Sequence, residues 1–239
     1  MSASTSLPPV TVISLTRSVG RRERVTRMMG QLGVDFDFFD AVDGRALSEA
    51  DSGLYDAKVA QKIHGRGLTL GEIGNCLSHV YVWRDFLESQ NTELLVLEDD
   101  AEIGTVLLEV LNARKNFRTG WEFANFVSDT PSDVVGERIW DIYRMSTFRE
   151  WSNRTACYLI NRKGASRLLD HAYPIRFAAD GLTGRSTETG LANFGVWPPV
   201  AGLSGEATTI EGRGELARGR PSLSAVLRHF IGSISVSRR

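Results

Sequence analysis

Residues 94–97, Leu-Leu-Val-Leu, run without a break into Glu98, Asp99 and Asp100. The aliphatic run suits a buried strand, and three adjacent carboxylates repel one another, so the strand has to end where positive charge can reach them. In an extended chain successive side chains alternate, which sends Glu98 and Asp100 to one side and Asp99 to the other. Two carboxylates can then converge on one ion. At the carboxyl end of a buried strand they would lie where open α/β sheets bind ligands. Oxygen donors of this kind suit Mg²⁺ or Mn²⁺, ions that keep waters while bridging to substrate phosphates. The competing use of such acids is to cap the helix that follows, whose N-terminus favours negative charge.

The flanking sequence supplies the rest of a layered domain. PPVTVISL (8–15) is a β-branched run, and Val25, Met28, Met29 and Leu32 follow at helical spacing, with Gly33 placed to end that helix. VDFDFFDAV (34–42) reads as the next strand and closes on the turn signal Asp43-Gly44. This alternation predicts an α/β fold with a mainly parallel or mixed sheet flanked by helices. Residues 44–68 read as a long loop or a short irregular helix. Thr69-Leu-Gly-Glu72 is a capping box, and the helix it opens should bury Ile73, Leu77, Val80, Trp83, Phe86 and Leu87. A helix is expected near 104–115, strands at 121–127 and 155–160, and a helix after the N-cap Asn161.

With 239 residues, 42% hydrophobic and 24% charged, the chain is long enough for one sizeable α/β domain. A net charge of -1 argues against a global electrostatic mode of nucleic-acid binding, so any anion site must be local. Cys76 and Cys157 sit in apolar contexts and read as buried, inert thiols. The start lacks the pattern of a secretory signal and no window is apolar enough to span a bilayer, so the expected location is cytoplasmic. The expected organisation is a domain over 1–202, a flexible Gly/Ser/Arg-rich segment over 203–221 and an amphipathic helix over 222–239. That helix gathers Leu223, Val226, Leu227, Phe230, Ile231 and Ile234 on one face. Core packing explains such a face, and so does peripheral docking on the inner membrane surface, given Arg228, Arg238 and Arg239.

Together these pieces resemble glycosyltransferase family 25, the lipooligosaccharide galactosyltransferases and their relatives in collagen modification. The resemblance rests on VISLTRSVGRRERV, FFDAVDG at 38–44, LTLGEIGNCLSHVYVW at 68–83, LLVLEDD at 94–100, TACYLINRKGASRLL at 155–169 and PPVAGLSGEATTI at 198–210. Their order and spacing make it specific, above all GEIGNCLSH followed by LEDD.

The resemblance implies a GT-A-like fold and inverting transfer of a sugar, usually galactose, from a UDP-sugar to a glycan or glycolipid acceptor, with Mn²⁺ or Mg²⁺ as cofactor. Glu98 and Asp100 would take the metal, with Glu98 and Asp99 near the nucleotide. Ser14, Arg17, Arg21, Asp43 and His79 are further donor-site candidates; Ser14 stands where the family usually shows Asn. Glu72 is also a candidate, though its capping role already accounts for it. An inverting enzyme needs a general base for the acceptor hydroxyl. Asp180 in FAADGL is the first choice, with Glu188 and Glu206 as alternatives. Two other classes use acids at a strand end: a metal-dependent nucleotidyltransferase or phosphohydrolase, and a catalytically silent nucleotide-sugar-binding module. The first should show more acids for two metals, or a phosphate loop, and neither is evident.

Overall fold

The computed structural model describes residues 7–47, 53–127, 136–147 and 154–205. Strand β1 (Val10–Ser14) leads into helix α1 (Val19–Leu32), which stops at Gly33 with φ of 64°. β2 (Asp37–Asp40) returns parallel to β1. The stretch expected to be irregular holds a 3-10 turn at Gly44–Ala46 and a regular helix, α2 (Ala57–His64), capped by Asp56, which accepts from the Val59 N–H at 2.9 Å. The capping box ahead of α3 (Leu70–Glu88) is formed: the Glu72 N–H donates to Thr69 Oγ1 at 3.1 Å, and the Thr69 N–H donates to Glu72 Oε2 at 2.9 Å.

β3 (Glu93–Glu98) carries the acidic triplet at its end and is followed by β4 (Ala101–Ile103) and α4 (Thr105–Asn112). Next come β5 (Phe123–Asn125), the hairpin of β6 (Arg138–Trp140) with β7 (Tyr143–Ser146), and β8 (Cys157–Asn161). Asn161 caps α5 (Arg162–Asp170) by accepting from the Gly164 N–H at 2.9 Å. Two short helices, α6 (Ala179–Gly184) and α7 (Ser186–Thr189), precede β9 (Asn193–Trp197) and β10 (Ala201–Leu203).

Among the described residues eight strands form one sheet in the order β2-β1-β3-β8-β5-β9-β7-β6, while β10 and β4 make a separate antiparallel ribbon. The sheet is mixed, one of the two arrangements expected. β1 pairs in parallel with β2 and β3, and β5 with β9, but β8 slots between β3 and β5 antiparallel to both, and β7 is antiparallel to β6 and β9. Helices flank the sheet on both faces, as the GT-A-like expectation requires.

β3 is buried on both sides. Leu95 and Leu97 join Val12, Val25, Met29, Leu107 and Leu111 in one core cluster; Leu94 and Val96 join Ile73, Leu77, Trp83, Tyr158 and Leu168 in the other. Each fully buried aliphatic side chain of this kind contributes on the order of 1.5–3 kcal/mol, so the strand is firmly placed before its acids are considered. Of the α3 residues expected inside, Ile73, Leu77, Val80, Trp83 and Phe86 are buried, and Leu87 packs at the edge. Both cysteines are free and buried, and burial pushes the Cys76 thiol up to about 12.

The domain continues past the boundary expected at residue 202, because Leu203 pairs with Ala101 and the Ser204 N–H donates to the Asp100 carbonyl at 2.9 Å. The expected helix at 222–239, and the segment from 206 onward, lie outside the described residues. Among the described residues no helix is long and apolar enough to cross a membrane.

The small residues of GEIGNCLSH have a packing role. A Cβ on Gly74 would lie 2.7 Å from the Val42 carbonyl oxygen and 2.8 Å from the Gly44 nitrogen, and Ser78 Oγ accepts from the Val42 N–H at 2.9 Å. The small-residue run receives the chain's own loop at 42–44. Gly74→Ala should therefore destabilise the protein by about 1–3 kcal/mol through forced backbone displacement. Gly20→Ala, in the open on α1, should leave stability unchanged or raise it by up to about 1 kcal/mol. Urea denaturation of the two variants checks the pair.

Candidate functional site

The alternation that divides the hydrophobic residues of β3 also divides its acids. Glu98 follows Leu94 and Val96 toward α3, where its Oε1 accepts from Thr155 Oγ1 at 2.6 Å and from His79 Nε2 at 3.1 Å. Asp99 follows Leu95 and Leu97 toward α1. Its carboxylate accepts from Ser14 Oγ at 2.7 Å and from an Arg21 guanidinium N–H at 2.6 Å, and the Arg24 guanidinium reaches its backbone carbonyl. The Asp99 and Arg21 side chains are only 9% and 10% exposed. Ser14, Arg21 and Asp99, all expected at the donor, therefore satisfy one another inside the protein. The positive charge that Asp99 meets is an arginine.

Glu98 and Asp100 open on one cleft. Asp180 lines it with them, as do Glu72, Asn75 and Arg154; Thr155, Ala156, Ala178 and Leu203 complete the wall. Glu72 does more than cap a helix, because Arg66 clamps it with two guanidinium N–H bonds of 2.7 Å each while it faces the cleft. Asp100 is in a different condition. Its Oδ1 is buried and has no hydrogen-bond partner among the described residues. Burial first, and the neighbouring charge of Glu98 second, push its carboxyl up to about 6.

Local structure explains the convergence. Glu72, Asn75 and His79 lie at i, i+3 and i+7 on α3, one stripe directed at the end of β3, beside the Gly74/Ser78 stripe that seats the 42–44 loop. β8 runs antiparallel to β3 with Cys157 opposite Leu97, so the residues entering β8, Arg154 and Thr155, arrive beside Glu98. Asn125 fixes that entry, its amide donating to the Arg154 carbonyl at 2.7 Å. Asp180 sits in the first turn of α6, and its Oδ1 accepts from the Gly181 N–H at 2.8 Å. Arg154, Asn75 and Thr155 were not singled out from the sequence. Arg154 and Thr155 become site residues only once β8 is known to be antiparallel; Asn75 was legible as a polar residue one turn after Glu72.

The remaining candidates lie elsewhere. Arg17 and Arg45 both donate to Asp43, at 2.9 Å and 3.0 Å, and hold its carboxyl well below the usual carboxylate range. This partly exposed trio joins the β1–α1 turn, which carries Arg17, to the segment after β2, which carries Asp43 and Arg45, and it stands outside the residues that line the cleft. His79 has no exposed side-chain surface and touches the cleft only through Glu98. Glu188 pairs with Arg185 at 2.6 Å and does not line the cleft. Glu206 lies outside the described residues.

Among the described residues no group of three or more His, Cys, Asp or Glu is gathered to hold a metal. Glu98 and Asp100 still fit one kind of ion. A buried carboxylate oxygen without a partner, beside a second carboxylate, suits a hard divalent cation that completes its shell with water and phosphate oxygens.

A sequence model described as "Glycosyltransferase family 25 (LPS biosynthesis protein)" matches residues 7–183. A Glycosyltransferase 25 family member of Aedes aegypti is 34% identical over 174 residues, 66% of this chain and 27% of that protein. Procollagen galactosyltransferase 1-B of Xenopus laevis is 29% identical over 178 residues, 69% of this chain and 28% of that protein. The chain thus spans less than a third of the length of these curated relatives. Among solved structures, a glycosyltransferase involved in the glycosylation of the major capsid of PBCV-1 aligns at 10% identity and a TM-score of 0.33, covering 68% of this chain and 66% of that one.

The raised pKa of Asp100 fixes the sign of a pH effect. A folded-state value of about 6 against an ordinary 3.8 means the native protein binds this proton more tightly than the unfolded chain does. The resulting penalty is fully present above about pH 6 and gone below about pH 4. In EDTA at pH 7.5, Asp100→Asn should therefore raise stability, by on the order of 1–3 kcal/mol, and the gain should shrink as pH falls toward 4. Denaturation midpoints across pH 4–8 check it. Arg21→Ala, which strands the buried Asp99 carboxylate, should cost about 3 kcal/mol in the same assay at neutral pH.

Proposed function

The chain belongs to glycosyltransferase family 25, and we propose that it moves a hexose, galactose in the first instance, from a UDP-sugar to a glycan hydroxyl with inversion at the anomeric carbon. The observation that carries this reading is the meeting of Glu98, Asp100 and Asp180 in one cleft at the carboxyl end of β3. A galactose donor is supported by the names of the procollagen galactosyltransferase relatives. A lipopolysaccharide or related surface-glycan acceptor is supported by the family's own description. A cytoplasmic place of action belongs to the same proposal.

In this reading Glu98 and Asp100 hold a divalent cation, Mn²⁺ or Mg²⁺, against the diphosphate of the donor. When bound, such an ion neutralises the charge that grows on the departing UDP. Thr155 and His79 keep Glu98 turned to the cleft. Arg154, the arginine on the cleft wall, offers a planar fork suited to phosphate oxygens. Asp180 accepts the proton of the acceptor hydroxyl as its oxygen bonds to the anomeric carbon and the bond from that carbon to the phosphate oxygen breaks. Glu72 and Asn75 line the wall on the α3 side, where they can hydrogen-bond sugar hydroxyls.

UDP release from UDP-galactose, measured with Mn²⁺ and then with EDTA, tests the whole. The expected result is turnover that EDTA abolishes. Turnover indifferent to EDTA removes the cation, and no turnover with any common UDP-sugar favours a silent binding module. Asp100→Ala should fold normally and lose the Mn²⁺-stimulated part of UDP binding. Asp180→Asn should keep that binding and lose about 10²–10⁴-fold in transfer; a variant that transfers at the wild-type rate would move the base elsewhere.

A further inference from the structure

A fully buried histidine on a core-facing helix needs a partner for each ring nitrogen, and His79 has both. Nδ1 lies 2.9 Å from the Tyr158 hydroxyl and Nε2 lies 3.1 Å from Glu98 Oε1. Tyr158 is itself fully buried, and its oxygen accepts from Trp83 Nε1 at 2.9 Å. The Glu98 carboxylate can only accept, so the ring hydrogen of a neutral His79 lies on Nε2, and Nδ1 is left to accept from the Tyr158 hydroxyl, whose oxygen in turn accepts from the indole N–H. The direction of the chain is therefore fixed from the core outward: Trp83 to Tyr158, Tyr158 to His79, His79 to Glu98. The His79 side chain is 0% exposed and that of Glu98 is 22% exposed, so the relay ends at the cleft wall.

The volume filled by these side chains does not by itself call for polar groups. Apolar groups of the same shape would fill the space at no cost in unmade hydrogen bonds. What the polar chain adds is a hydrogen-bond donor at a fixed point behind one oxygen of Glu98. The ring is held from behind by Tyr158, and tilts against Trp83 and Tyr158 at centroid distances of 6.1 Å and 5.7 Å. A ring so packed cannot turn to follow the carboxylate. The carboxylate must align to it.

We infer that His79 is a positioning residue: through its Nε2–H, and with Tyr158 and Trp83 behind it, it fixes the orientation of Glu98, so that affinity for a divalent cation with UDP depends on a side chain that touches neither. This inference rests on the cation-assisted reading of the cleft given above. It separates His79 from the donor-contact role expected from the sequence.

The test is calorimetric titration of Mn²⁺ into the 239-residue chain saturated with UDP, for wild type, His79→Gln and His79→Leu, with donor and acceptor KM measured alongside. Glutamine can keep an N–H donor toward Glu98, whereas leucine keeps volume alone. His79→Leu should weaken Mn²⁺ binding about 10–100-fold, the usual range for removing a partner of a metal ligand. It should raise the donor KM and leave the acceptor KM unchanged. His79→Gln should stay within about threefold of wild type. A merely structural role would lower the melting temperature of both variants and leave the Mn²⁺ affinity of the folded fraction alone. Wild-type affinity in folded His79→Leu, or equal loss in both variants, overturns the inference and leaves the cation reading intact. UDP binding by the wild type that is indifferent to Mn²⁺ overturns both. Should His79→Leu fail to fold, Tyr158→Phe serves: it removes the hydroxyl behind the ring and should weaken Mn²⁺ about 3–10-fold, and wild-type affinity there counts against the inference.

Discussion

Three consecutive carboxylates can end a buried strand only if each finds a separate environment, and the two-residue period of β3 provides that separation. Leu95 and Leu97 commit one face of the strand to the α1 and α4 side, Leu94 and Val96 commit the other to α3 and α5, and the acids inherit those directions. Asp99 is delivered to Arg21 and Ser14, Glu98 to His79 and Thr155. Asp100, past the end of the strand, is left with a buried oxygen that nothing among the described residues satisfies. The hydrophobic packing thus decides which acid is structural and which is kept in an unfavourable state for chemistry. Local instability at a site otherwise surrounded by satisfied groups is the pattern expected where function, and not folding, sets the residue.

Helix α3 is the second organiser. Its two adjoining stripes do unlike jobs: Gly74 and Ser78 accept the backbone of the 42–44 loop at close range, while Glu72, Asn75 and His79 face the end of β3. One short motif therefore holds the loop bearing Asp43 and shapes the cleft wall. Arg66, clamped to Glu72, ties the loop ahead of the helix into the same unit.

Much of this was legible in the sequence, and the part that was not has a common cause. The capping box at Thr69, the left-handed stop at Gly33, the cap at Asn161 and the opposed directions of Glu98 and Asp99 follow from local rules, and all are present. The convergence of Asp180 with Glu98 and Asp100 came from resemblance and has no local signature. Strand direction was beyond reach, because Cys157-Tyr-Leu-Ile160 carries the same pattern whichever way it runs; with it went Arg154 and Thr155, which belong to the cleft only in an antiparallel β8. The burial of Ser14 and Arg21 was missed for a related reason. A serine at the end of a strand and an arginine in the helix after it look like ligand groups until Asp99, 85 and 78 residues further on, is seen beside them.

The Tyr158 hydroxyl has a bearing on how the chain assembles. β8 lies at the centre of the sheet, between β3 and β5, and its apolar neighbours Cys157, Leu159 and Ile160 would tolerate either face. A slip of one residue would turn the tyrosine away from α3 and leave the indole N–H of Trp83 and a ring nitrogen of His79 stranded in a dry interior. The aromatic ring thus works as a key to the alignment of the central strand: only one setting closes every polar contact, and it is the setting that brings Thr155 against Glu98.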